Sequence, residues 1–343
     1  MVLIVIMAKP QIRNSSEARS VEINSNKSLK KVLKNAGILL SGNMGANVFG
    51  LLSIAIFTHS QGAEIFGYYV LFLTFTEIID RLFNFQTWQA FIKFATDFQV
   101  KKEHHNVMML LKYCFLVDLA SLAVATLVAL SLSSFAISFF SIPSEYLSLL
   151  LLMSLTILFK TTEISTGVFR LYGRFTVQSK IVIYSSAIKF LMFAFIALAA
   201  PSFELFIYAT VLTQFITMIL KYCYANEVLN EHKVTVPEIL KERMNYPLLK
   251  EQKIFAFVVY NNFDVAVRMV SRQLDNIILG KLYGAEIVAV YKIAKDIANL
   301  IAKLTDPVYQ AIYPEFAKML ANGSKLEARH MAIKVSLYAG GAG

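Results

Sequence analysis

The chain has 343 residues, of which 57% are hydrophobic and only 16% charged, and its mean hydropathy is +0.57. Soluble domains carry roughly 25% charged residues, so a soluble enzyme, a secreted disulfide scaffold and a disordered chain are all excluded. The formal net charge of +10 raises nucleic acid as a partner, a question that the distribution of the charge decides.

Residues 1–35 read as a cytoplasmic N-terminal segment. Met1 to Met7 is apolar, but Lys9, Pro10 and Arg13 interrupt it; it is too short to span and lacks the basic front of a signal peptide. Apolar runs near the length of a bilayer core, about 20 residues, follow at 36–57, 67–92, 108–132, 146–169, 176–200, 205–225, 254–279 and 287–313. A ninth begins near Met331. These runs are too long for barrel strands and lack their alternation. The expected class is therefore an all-α polytopic membrane protein. Cys114 and Cys223 show no CxxC spacing and read as helix-packing residues. His104 and His105 read as a solvated loop pair.

Orientation follows from Lys and Arg in the short connections. The gaps 59–67, 133–145 and 201–204 contain neither. The alternate gaps carry Lys93, Lys101 and Lys102, then Arg170, Arg174 and Lys180, then Lys233, Lys241, Arg243, Lys250 and Lys253, then Lys318, Lys325 and Arg329. Lys281, in an outer gap, is the exception. This pattern places the N-terminus in the cytoplasm of a multi-pass inner-membrane protein. The positive charge is then topological, and no nucleic-acid partner is needed.

The connection 226–253 mixes both charge signs with Pro237 and Pro247 and reads as a cytoplasmic linker, with a short surface helix at Glu238–Met244. It separates a first six-helix lobe, 36–225, from the start of a second, 254–343. An internal repeat supports the division. Residues 62–69 read GAEIFGYY and residues 284–291 read GAEIVAVY, with five of eight positions identical at an offset of 222. The same offset pairs Ile79 with Ile301, Phe94 with Phe316 and Trp88 with Gln310. An even number of helices per unit makes the two repeats parallel, with a central cavity expected between them.

Ionisable groups at mid-membrane cost at least about 2.5–3.5 kcal/mol each, so they face a cavity and act there. In the seventh run Asp264, Arg268, Arg272 and Asp275 fall within about 80° of arc on a helix. Glu77, Asp80, Arg81, Asn84 and Trp88 share a face of the second run. Lys292, Asp296, Asn299, Lys303, Asp306 and Gln310 share one on the eighth. Arg81 matches Lys303 at the repeat offset, so both stripes are cationic at their centre. Asp118, Lys160, Glu163 and Lys189 are further single charges. Structural pairing, Asp264 with Arg268, Arg272 with Asp275 and Lys160 with Glu163, is the alternative reading at helical spacing. Arg81, Arg268, Arg272 and Lys303, with Lys160 and Lys189 as weaker members, are candidates to bind an anion, phosphate being the natural partner of a guanidinium fork. Glu77, Asp118, Asp264 and Asp275 are candidates for ion coupling. The sequence offers no catalytic motif, P-loop, metal set or cofactor site. Trp88 reads as a packing ring rather than a sugar platform.

The segment GAEIFGYY at 62–69, the run RQLDNIILGKLYGAEIVAVYKIAKDIANLI at 272–301 and PVYQAIYPEFAKML at 307–320 resemble the O-antigen type polysaccharide flippases of the multidrug/oligosaccharidyl-lipid/polysaccharide exporter superfamily. The resemblance covers about 30–320 as a pattern, with Asp275–Gly280 and Tyr313-Pro314, closing the eighth helix, as its best-marked pieces. It implies two six-helix lobes in a V, alternating access, and a polyprenyl-pyrophosphate-linked oligosaccharide as cargo, with membrane lipids and a polysaccharide polymerase as further partners. The alternatives are a cation-coupled multidrug exporter of the same superfamily, against which mid-membrane cations argue, and a membrane glycosyltransferase or polymerase, for which the outer gaps are too short. At the 222 offset Met108 maps to His330. Lys334 to Gly343 spans about 15 Å at 1.5 Å per residue, half of a core about 30 Å thick. The second repeat is expected to be incomplete, and the chain a truncated product unable to transport alone.

Overall fold

The computed structural model describes residues 15–161, 163–302, 306–324 and 326–333. Among them there is no strand. The helices are α1 (Ser15–Gln61), α2 (Ala63–Phe83), α3 (Trp88–Val100), α4 (His104–Phe139), α5 (Leu147–Leu155), α6 (Glu163–Leu171), α7 (Phe175–Ala199), α8 (Phe203–Glu231), α9 (Val236–Lys241), α10 (Tyr246–Glu251), α11 (Ile254–Tyr283), α12 (Ala285–Ala302) and α13 (Asp306–Ala321). A further helical stretch occupies 326–333.

Among the described residues, five helical stretches are long and apolar enough to cross a bilayer: Ser28–Gln61, His104–Phe139, Ser144–Leu171, Phe175–Ala199 and Phe203–Glu231. The two arms of α11, Ile254–Arg268 and Gln273–Tyr283, meet at a bend of 44° and together make a sixth. The expected run 67–92 is divided: Asn84 leaves the helix with φ −86° and ψ 114°. Its side-chain amide donates to Asp80 Oδ1 at 3.0 Å, the local competition with backbone bonding that ends helices at Asn. In the expected run 287–313, residues 303–305 lie outside the described residues, between α12 and α13. Helix α13 continues through Pro314 to Ala321 rather than closing at Tyr313-Pro314.

The repeat is visible in the backbone. Gly62 joins α1 to α2 with φ +86°, and Gly284, at the 222 offset, joins α11 to α12 with φ +82°. Only glycine takes such angles freely, so each copy turns on one residue. Near the same end, α2 and α12 cross with almost no space between them: a Cβ added at Gly67 would lie 2.0 Å from the Ala285 carbonyl oxygen. Helix association in lipid relies on such close packing at small residues. Gly42 of α1 likewise faces Ser179 of α7, whose hydroxyl donates to the Ile38 carbonyl at 2.8 Å.

Phe57 is fully buried, and the rings of Phe66, Tyr69, Phe193, Phe203 and Phe206 surround it at the Gly62 end. At the other end of the bundle Val32 and Ala36 of α1 pack with Ala311, Ile312 and Met319 of α13. Lys31 pairs there with Glu315 at 2.6 Å. The connection after α8 holds two short helices, α9 and α10, in place of the single expected one, because Pro247 opens a second first turn. Cys114 is buried and Cys223 exposed, and both are free. His105 is not merely solvated: its ring approaches Glu242 at 2.6 Å.

Candidate functional site between the two repeats

Polar side chains cross from α2 to α11 at mid-helix. The Asn276 amide donates to the Thr74 hydroxyl at 3.2 Å and to Gln273 Oε1 at 2.8 Å. Gln273 in turn donates to Glu77 Oε2 at 2.9 Å. Glu77 thus faces the second repeat. Arg81 stands one turn further along the same face of α2. Its only partner among the described residues is Asp80, at 3.9 Å, too long for a hydrogen bond. Asp80 is already engaged by Lys160 at 3.0 Å and by Asn84. The Arg81 fork therefore keeps its donors, and its side chain is partly exposed.

A cavity of about 420 Å³ lies between the end of α2 and α11, walled by Leu82, Phe85, Val259, Phe263 and Ala266, with Asn262 as its polar member. Asn262 donates to the Leu82 carbonyl at 3.4 Å, and its own carbonyl oxygen is buried without a partner.

The other sequence-predicted residues disperse. Arg268 pairs with Asp264 at 2.6 Å, and both side chains are about 60% exposed (60% and 59%). They lie opposite the buried line Ile254, Val258, Asn262 and Ala266 of α11. Asp275 accepts from Tyr291 at 2.5 Å and from Lys295, both on α12. Lys160 pairs with Asp80 rather than Glu163; it ends a 3₁₀ turn over Thr156–Lys160, which does not keep the α-helical spacing. Lys189 donates to the Tyr69 hydroxyl at 2.8 Å. Asp118 is fully buried in α4. Among the described residues no donor reaches its oxygens in full hydrogen-bond geometry, although the Thr87 hydroxyl and the Thr87 and Ile164 amides act on it. The side chain of Arg272, and Lys303 altogether, lie outside the described residues.

Arg170 is a correction to the charge map. It is not a loop cation but is buried, at 6% exposure. Its guanidinium stacks on Trp88 at 4.1 Å and donates to Gln310 Oε1 at 3.0 Å. Trp88 and Gln310 are the pair matched by the repeat offset, so Arg170 is clasped between equivalent positions of the two copies. Tyr313 completes this contact, edge-on to Trp88 at 5.4 Å and donating to the Gln89 carbonyl at 3.1 Å. Sequence reasoning also missed Asn276, Gln273 and Lys295. Their signal was a polar or charged residue inside a run otherwise apolar enough to span.

Two packed helical copies, joined at both ends and polar between them, define a transporter-type membrane fold. The arrangement is similar to a mutant of the Vibrio cholerae MATE transporter VcmN, with a TM-score of 0.72 at 11% identity over 93% of this chain and 72% of that one. The chain belongs to the polysaccharide biosynthesis protein family, whose model matches residues 62–337. No curated protein sequence matches it.

Proposed function

We propose that this protein is a flippase that carries a polyprenyl-pyrophosphate-linked oligosaccharide across the cytoplasmic membrane by alternating access. The observation that carries the reading is Arg81. It is a guanidinium with no close hydrogen-bond partner among the described residues, on the α2 face that meets the second repeat, and its chain neighbour Leu82 lines a largely apolar cavity. A diphosphate presents the oxygens that such a fork binds in pairs, and the apolar wall suits the adjoining prenyl chain. The Lys and Arg asymmetry of the connections supports a cytoplasmic N-terminus. The contacts at the Gly62 end and at the Lys31 end would then open in turn.

The test is transfer of a lipid-linked oligosaccharide into proteoliposomes, scored by its accessibility to an external glycosidase. Arg81→Ala should lower the transfer rate about tenfold or more, the loss of one charge-assisted hydrogen bond of roughly 1.5–3 kcal/mol. Arg81→Lys should keep part of it, since a lysine supplies the charge without the fork. Normal transfer by Arg81→Ala would refute the anion-binding role. Expulsion of cationic drugs without transfer of the glycolipid would establish the multidrug alternative.

A further inference from the structure

A second polar cavity lies inside the first repeat. It has a volume of about 270 Å³ and is walled by α7, α8, part of α2 and the turn before α6. Lys160, Lys189 and Lys221 line it, and no carboxylate does. The charge of one of these lysines is answered from outside the wall: Asp80 pairs with Lys160 at 3.0 Å. Glu163 acts on Lys221 with one sign and Arg170 and Arg81 with the other. Lys189 differs. Its hydrogen-bond partner among the described residues is the neutral Tyr69 hydroxyl, at 2.8 Å, and the rings of Tyr69 and Phe193 lie near its ammonium. The cavity thus holds a cation at membrane depth with no carboxylate against it, the situation in which a buried charge marks a ligand or ion site.

Neutral donors stand beside that cation. Ser186 lies one turn from Lys189 on the same face of α7. Gln214 projects from α8 into the same space. Neither makes a hydrogen bond among the described residues, so both are available to a ligand. Phe159 adds an apolar ring to the wall. Drug-sized ligands occupy pockets of about 300–1,000 Å³, so this one suits a single ring. An ammonium, a hydroxyl, a carboxamide and an aromatic face together match a pyranose that carries a carboxylate.

We propose that this cavity is an anion subsite that binds one acidic sugar, its carboxylate on Lys189 and its hydroxyls on Ser186 and Gln214. The assignment rests on the flippase reading only for the source of that sugar, a uronic acid within the transported glycan.

The test uses the full chain in detergent, with glucuronate as the probe. Lysines are acylated with a water-soluble amine reagent, and the rate at each site is read by mass spectrometry. At ten times the half-saturating glucuronate concentration, acylation of Lys189 should slow about tenfold, because only unoccupied protein reacts. Lys281, on the outside of the bundle, should react at an unchanged rate. In Gln214→Leu the half-saturating concentration should rise about tenfold, the loss of one hydrogen bond to the ligand. The proposal is overturned if glucuronate leaves Lys189 unprotected. It is equally overturned if glucose protects as well as glucuronate does, which would describe a neutral-sugar pocket. Equal protection by chloride or inorganic phosphate would overturn it as well, leaving a plain anion site. Because the readout is binding, its failure leaves glycolipid transfer intact, whereas failure of the flippase reading appears only in the transfer assay.

Discussion

Replacing Gly67 by alanine tests whether the two repeats close on each other at the Gly62 end. The new methyl group would lie 2.0 Å from the Ala285 carbonyl oxygen, where ordinary contact begins at 3.4 Å. Both partners are helix backbone, so α2 and α12 must separate by more than an ångström. Overpacking of this kind costs about 1–3 kcal/mol. Because the contact joins the repeats, that energy falls on the state in which this end is shut, and 1–3 kcal/mol shifts a two-state balance by about 5–150-fold. Cysteine pairs report the shift after Cys114 and Cys223, the two free thiols, are replaced. The pair Lys281→Cys with Phe139→Cys spans the Gly62 end, where the Lys281 ammonium now donates to the Phe139 carbonyl at 3.0 Å. The pair Lys31→Cys with Glu315→Cys spans the opposite end, where the native side chains meet at 2.6 Å. In Gly67→Ala, cross-linking should fall at the first pair and persist or rise at the second. Unchanged yields at both pairs in a folded variant would refute the reasoning, as would a fall at the Lys31 end alone.

Three further outcomes are expected. Lys160→Met strands the Asp80 carboxylate, 1% exposed, and should cost about 3–5 kcal/mol in thermal unfolding, with most of it recovered in the double variant with Asp80→Asn; a single variant as stable as the parent would remove Lys160 as the partner of Asp80. Asp118→Asn keeps shape and removes a buried acid that lacks full hydrogen bonding, so the melting temperature should hold or rise, and a loss of glycolipid transfer at unchanged stability would assign Asp118 to ion coupling. In the linker, the Thr235 hydroxyl and amide hold the Glu238 carboxyl below the usual carboxylate range. Its contribution to α9 is therefore fully present above that range and is lost as pH falls through the lowered value. Exchange protection of the Ile239 amide, which bonds the Thr235 carbonyl, should be level at neutral pH and drop in acid, and Thr235→Ala should flatten that dependence.

The membrane class, the repeat and the family resemblance were legible in the sequence because each is a local pattern. Apolar run length answers to bilayer thickness, and the eight residues from Gly62 and from Gly284 encode the same one-residue turn, realised with φ +86° and +82°. The Glu77–Arg81 part of the α2 stripe was legible too, since a 3.6-residue period puts these two on one face whatever surrounds them, but the helix ends at Phe83, so Trp88 does not continue that face. Partnership was legible only in part. The periodicity paired Asp264 with Arg268, as the fold does, but it offered Lys160 to Glu163, and folding gave Lys160 to Asp80; Asp275 meets Tyr291 and Lys295 of the next helix, which no spacing along α11 indicates. A charged group desolvated by packing takes the nearest partner in space, and chain separation does not enter that choice. Arg170 makes the point most sharply. By sequence it belonged to a basic connection, yet tertiary packing buries it against Trp88 and Gln310, two positions 222 residues apart that only the pairing of the repeats brings to one place.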